Sequence, residues 1–156
     1  MKNFIFLFIT VSSVLIFSKC ATRGIIEGGS KDSIPPVVIR SSPKENTIFF
    51  KDDKILLNFN EFIKLNDISN QLIISPPLEK KYFEIKPRLG ASKKIEIKLL
   101  KKLDDNTTYT FNFGKSIEDY NEGNQLPFYS YAISTGEKID SLKYYGTVED
   151  ALNKNK

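Results

Sequence analysis

An all-β fold is predicted, an antiparallel sandwich of about seven to eight strands. Apolar residues recur at every second position in several runs, as in strands with one buried and one wet face. Turn-forming clusters separate those runs at near-regular intervals. No window of the chain carries a convincing helical stripe.

The first segment, residues 1–19, has a different character. Lys2 makes its start basic, and Ile5 to Phe17 is an apolar middle broken only by small hydroxyl residues. That is the physical pattern of a secretory signal peptide. The run is short for a spanning helix, which needs roughly 20 apolar residues. A buried core segment and an uncleaved anchor are the alternatives, although nothing after Lys19 resembles a helix that would partner it.

Residues 20–35 form a tether. Gly24, Gly28 and Gly29 lie in a stretch with little periodicity, which stays extended and mobile. The sandwich is placed at 36–136. Its strands are expected at Val37–Ser41, Thr47–Phe50, Ile55–Phe59, Gln71–Ser75, Phe83–Ile85, Ile95–Leu99, Tyr109–Phe113 and Tyr129–Ser134. In the sixth, Ile95, Ile97 and Leu99 alternate with Glu96 and Lys98. In the seventh, Tyr109, Phe111 and Phe113 alternate with Thr110 and Asn112. Turns are marked by Ser42-Pro43, Lys51-Asp52-Asp53, Ser75-Pro76-Pro77, Leu89-Gly90-Ala91-Ser92 and Asp104-Asp105-Asn106. Residues 137–156 are placed as a linker and the candidate start of a second β domain truncated after Lys156, the favoured reading, with an unpaired C-terminal tail as the alternative.

Composition excludes several chemistries. The chain has no His, so neither a Ser/His/Asp nor a Cys/His nucleophile pair is available. A zinc site would need carboxylates alone. The eight Gly are scattered and form no phosphate-binding loop. No cofactor is expected. The formal charge is +4; loss of residues 1–19, with Lys2 and Lys19, lowers it to +2. Lys residues then alternate with acids along the strands, which reads as a solvated face, and nucleic acid is not an expected partner. One cysteine, Cys20, permits no internal disulfide. An exported free thiol is reactive unless capped, and thioether attachment of a diacylglycerol caps it.

Candidate sites are few. Asp119, Asn121 and Glu122 lie in a polar loop and are weak calcium candidates, because hard cations take several loop oxygens. The glycine is one position early for an EF-hand loop, and such residues more often bond local backbone in a turn. Asp119 with Glu122, or Glu61 with Asp67, would be the carboxylate pairs of a glycoside hydrolase, the least favoured function. Leu103, a polar turn and then Tyr109 opening a strand have the layout of a tyrosine corner, which makes Tyr109 structural.

A family resemblance rests on several motifs together. The residues before the cysteine, Phe17-Ser18-Lys19-Cys20, resemble the lipobox of bacterial lipoproteins, with Lys19 departing from its small-residue position. Cys20-Ala21-Thr22-Arg23-Gly24, Gly28-Gly29-Ser30-Lys31-Asp32 and Pro35-Pro36 look like the start of lipoproteins with a bacterial Ig-like domain, the SbsA type common in Bacteroidota. Phe59 to Leu65, Ile74 to Leu78, Asn106 to Gly114, Ile117 to Asn124 and Ser134-Thr135-Gly136 continue the likeness over about residues 20–142. The resemblance implies an Ig-like sandwich in an exported protein, acylated (palmitate among the acyl groups) at Cys20, and no catalytic residue. Tyr145 to Ala151 looks like the first strand of a carboxypeptidase-regulatory-like domain. Asp32-Ser33-Ile34 and Asp140-Ser141-Leu142 resemble the O-glycosylation sequon of Bacteroidota, making Ser33 and Ser141 candidate acceptors.

The function expected from these observations is a non-catalytic module held at a membrane by acyl chains on Cys20, serving as a spacer or as a surface for a protein or glycan partner. An accessory domain of a larger outer-membrane protein is the alternative. No acid follows Cys20 before Glu27, which favours the periplasmic face of the outer membrane over the cell surface.

Overall fold

A computed structural model describes residues 29–140. Eight strands succeed one another in chain order: β1 (Val38–Ser42), β2 (Lys54–Leu65), β3 (Ile73–Ser75), β4 (Phe83–Lys86), β5 (Ser92–Leu99), β6 (Thr108–Asn112), β7 (Ile117–Asp119) and β8 (Ser130–Ser134). A four-residue helix, α1 (Ile68–Gln71), and a 3-10 turn at Lys80–Tyr82 complete the elements.

The larger sheet has the order β1-β2-β5-β4, and β7 pairs with the second half of β2. The smaller sheet has the order β3-β6-β8. All of these strand pairs are antiparallel. Four strands in the order A-B-E-D over three in the order C-F-G is the topology of a constant-type immunoglobulin sandwich.

The alternation seen in the sequence sets the packing. Ile55, Leu57 and Phe59 of β2 and Ile95, Ile97 and Leu99 of β5 point inward. They meet Tyr109 and Phe111 of β6 and Tyr131 and Ile133 of β8 in one core. The Phe111 and Tyr131 rings lie 6.5 Å apart, centroid to centroid, and tilted. Aromatic pairs favour such offset or tilted arrangements. Among the described residues no buried side-chain nitrogen or oxygen lacks a hydrogen-bond partner.

Three local expectations meet a different outcome. Thr47–Phe50 forms no strand; Asn46 and Phe49 take positive φ of 62° and 52°, and the segment hooks onto β8 through Asn46 N–H to the Ala132 carbonyl and Phe50 N–H to the Ser134 carbonyl. β2 runs on to Leu65: its register with β5 shifts between Asn58 and Ile63, and the same strand goes on to pair with β7. A short helical turn, α1, comes after β2 where only non-helical chain was expected; Asp67 opens it at φ 48°.

The chain enters and leaves at opposite ends of this body. On the way in, the Asp32 carbonyl accepts from Asn124 Nδ2 at 3.1 Å and Val37 N–H donates to Asn60 Oδ1 at 2.7 Å, beside the far end of β2. On the way out, Thr135 N–H donates to the Thr107 carbonyl and Asp140 N–H to Thr108 Oγ1, at the start of β6. From Lys54 to Asn60, where Val37 meets it, β2 spans roughly 20 Å at about 3.3 Å per residue.

Candidate functional site

The polar segment after β7 is organised by one buried acid. Asp119 is 1% exposed. Its Oδ1 accepts from the backbone N–H of Glu122 at 2.6 Å and of Gly123 at 3.0 Å, and its Oδ2 accepts from that of Asn124 at 2.7 Å. Gly123, at φ +80°, takes a left-handed conformation that turns its amide to the carboxylate. Burial pushes the Asp119 carboxyl up, but the amides of Asn124, Glu122, Gly123 and Asn121 together outweigh it and hold the group below the ordinary carboxylate range.

This geometry binds the chain to itself. Amide hydrogens, the positive ends of peptide dipoles, are directed at both Asp119 oxygens. Asn121 and Glu122 are exposed. Glu122 meets Asp119 through its main chain. Among the described residues no three His, Cys, Asp or Glu side chains gather as a metal-holding group. Next to the loop, Lys64 and Glu118 are directly opposed across β2 and β7 and pair at 3.3 Å, so the buried Glu118 is also matched within the fold.

The carboxylates weighed for hydrolysis do not share a cleft. Glu61 accepts from Asn60 Nδ2 at 3.3 Å, and Asp67 accepts from Asn70 Nδ2 at 2.8 Å at the start of α1. Asp119, shifted downward, is the reverse of a general acid. The most apolar groove, about 420 Å³, opens between the sheet edges β3 and β4 and is lined chiefly by Ile68, Leu72, Ile74, Leu78, Phe83 and Ile85. Its single carboxylate, Glu84, lies 3.8 Å from the Arg88 guanidinium. No second acid faces it across the groove.

Tyr109 sits at the lower end of β6. Its hydroxyl accepts the Asp104 N–H at 3.3 Å and donates to Asp104 Oδ2 at 3.1 Å. The bond reaches back five residues, to the turn that brings the chain from β5 into the smaller sheet. Ser33 is exposed. The neighbouring Asp32 carboxylate accepts the Ile34 N–H at 2.9 Å. Cys20 and Ser141 lie outside the described residues.

Residues 32–135 match the profile of the bacterial Ig-like domain family. The chain belongs to that family. No curated protein and no solved structure matches it.

Register gives this Ig-like domain one surface that was not read from its sequence, the outer face of the larger sheet. Directly opposed residues share a face, and the outward pairs are Arg40 with Asn58, Ser42 with Leu56, Lys54 with Lys98, Leu56 with Glu96, Asn58 with Lys94, Glu84 with Lys98, and Lys86 with Glu96. Five cations therefore stand there with two acids. Along any one strand those lysines alternate with other residues and look unremarkable; only the cross-strand register collects them.

Proposed function

We propose that the chain is a non-catalytic, lipid-anchored module of the cell envelope. Acyl chains on Cys20 hold it at a membrane leaflet, the periplasmic face of the outer membrane, and its Ig-like domain is a spacer or an interaction surface for a protein or glycan. The observation that carries this reading is the placement of the chain ends: incoming chain is bonded at one end of the sandwich and outgoing chain at the other. A body threaded that way separates its entry point near Asp32 from its exit point near Asp140. The same placement favours the second reading, an accessory domain in a larger outer-membrane protein with function in further C-terminal modules.

The anchor would be strong, since each buried methylene contributes about 0.8 kcal/mol and two chains make release slow. Carboxylates committed to backbone amides or ion pairs support the non-catalytic part. Expression in a Bacteroidota host, then alkaline washing of membranes, tests the anchor. Wild type is expected to stay in the washed membranes and to take up labelled palmitate. Cys20→Ser is expected to lose both. A palmitate-free wild type would refute the lipid anchor.

A further inference from the structure

We infer that the outer face of the β1-β2-β5-β4 sheet is a docking surface for an anionic phospholipid leaflet. This inference rests on the anchored reading above for its biological setting, and its test is independent of acylation.

The first support is charge segregation. Residues 32–140 hold equal numbers of basic and acidic side chains, 16 of each, so the body as a whole is neutral. Yet the outward positions of one sheet place Arg40, Lys54, Lys86, Lys94 and Lys98 against only Glu84 and Glu96. All five cations are exposed. Neutrality of the whole with an excess of +3 on one wall gives the molecule a charged side.

The second support is that this charge does not serve the fold. Lys54 and Lys98 are directly opposed across β2 and β5, an unfavourable pairing, while on its other side Lys98 faces Glu84 across β4 and β5. Glu96 is shared by Lys54 at 3.8 Å and Lys86 at 4.0 Å. Glu84 pairs with Arg88 at 3.8 Å. Among the described residues no acid comes within salt-bridge distance of Arg40, Lys94 or Lys98. The acid that a stability argument would place opposite Lys54 is missing.

The third support is the kind of cation. Four of the five are lysines, compact point charges without the planar fork that recognises a particular carboxylate or phosphate in two-point geometry. A sheet face bearing spread point charges suits a surface of many mobile anionic headgroups better than one shaped ligand. Cys20 lies 12 residues before Asp32, and that length reaches roughly 40 Å when extended. An acylated chain could therefore lay this wall on its own leaflet. Docking would trade the standing reach of the spacer for contact along its side, and ionic strength would set the balance.

The test uses the full-length, unacylated chain with vesicles of phosphatidylcholine alone or mixed with phosphatidylglycerol. The N-terminal segment, with Lys2 and Lys19, is common to wild type and variants, so differences between their affinity ratios report on the charged wall. Wild type is expected to prefer the anionic vesicles and to lose that preference in high salt. Lys54→Glu/Lys94→Glu/Lys98→Glu is expected to lower the preference by about a hundredfold or more, at about 1 kcal/mol per basic residue near the surface. Lys44→Glu/Lys115→Glu/Lys138→Glu, with the same change in net charge, is expected to keep it. Amine labelling of wild type guards against misfolding of a variant: anionic vesicles should protect Lys54, Lys94 and Lys98 and leave Lys44, Lys115 and Lys138 reactive. Equal losses in the two triple variants, uniform labelling, or a soluble polyuronate bound in place of the vesicles would overturn the inference. Cys20 acylation, measured separately, is untouched by any of these outcomes.

Discussion

The loop after β7 and the outer wall of the larger sheet are both rich in charge, and they use it in opposite directions. In the loop, Asp119 is enclosed by three backbone amides within 3.0 Å, and the adjacent Glu118 faces Lys64. On the wall, Arg40, Lys94 and Lys98 stand in solvent without a salt-bridge partner, and Lys98 directly faces Lys54. Charge satisfied by its own chain belongs to the fold. Charge left facing outward at a cost to the fold is available to a partner. Polar density alone, which made the loop the conspicuous candidate in the sequence, does not separate the two.

Substitution should separate them. The largest effect is expected at Asp119→Ala, which strips three part-buried amides of their acceptor and should cost about 2 kcal/mol in denaturant unfolding. A loss under about 0.5 kcal/mol would show that water or rearrangement satisfies the amides equally well, and the loop would cease to be a structural keystone. The same residue gives a pH signature. Its carboxyl is held below the ordinary range in the fold, so its stabilising contribution is present above the unfolded value of about 3.9 and is lost as pH falls through the folded one. Urea midpoints at neutral and strongly acidic pH should differ more for wild type than for Asp119→Asn, which cannot titrate there.

A smaller effect is expected at Tyr109→Phe. It removes a hydroxyl that joins Asp104 to β6 while leaving the ring in the core, and should cost about 1 kcal/mol. Thermal unfolding is the readout, and no change would detach Tyr109 from the corner. The smallest effect belongs to the wall. Lys94 faces Asn58 and pairs with no acid, so Lys94→Gln should change stability by less than about 0.5 kcal/mol. A clear destabilisation would mean that this wall serves the fold after all.

The sandwich was legible where alternation was unbroken, as at Ile55–Phe59, Ile95–Leu99 and Tyr109–Phe111, because inward and outward positions differ in polarity there. The second half of β2 was not, since charged Glu61 stands at an inward-parity position and apolar Phe62 at an exposed outward one, where the register with β5 also shifts. β7 was hidden for another reason. Ile117, Glu118 and Asp119 are all buried, so two acids in three residues read as a loop. Thr47–Phe50 has strand-like side chains, but positive φ at Phe49 breaks extension. The wall was invisible because a single strand does not disclose its neighbours' register. Lys54 and Lys98 are far apart along the chain and adjacent only across the sheet.

The lipid-anchored, non-catalytic reading stands most directly on Cys20. Intact-mass measurement of the mature chain from native-type membranes, for wild type and Cys20→Ser, addresses it in one step. A wild-type chain beginning at Cys20 and carrying a lipid-sized mass gain, absent from the variant, is the expected result. A wild-type chain that keeps residues 1–19, or begins elsewhere without added mass, would contradict it.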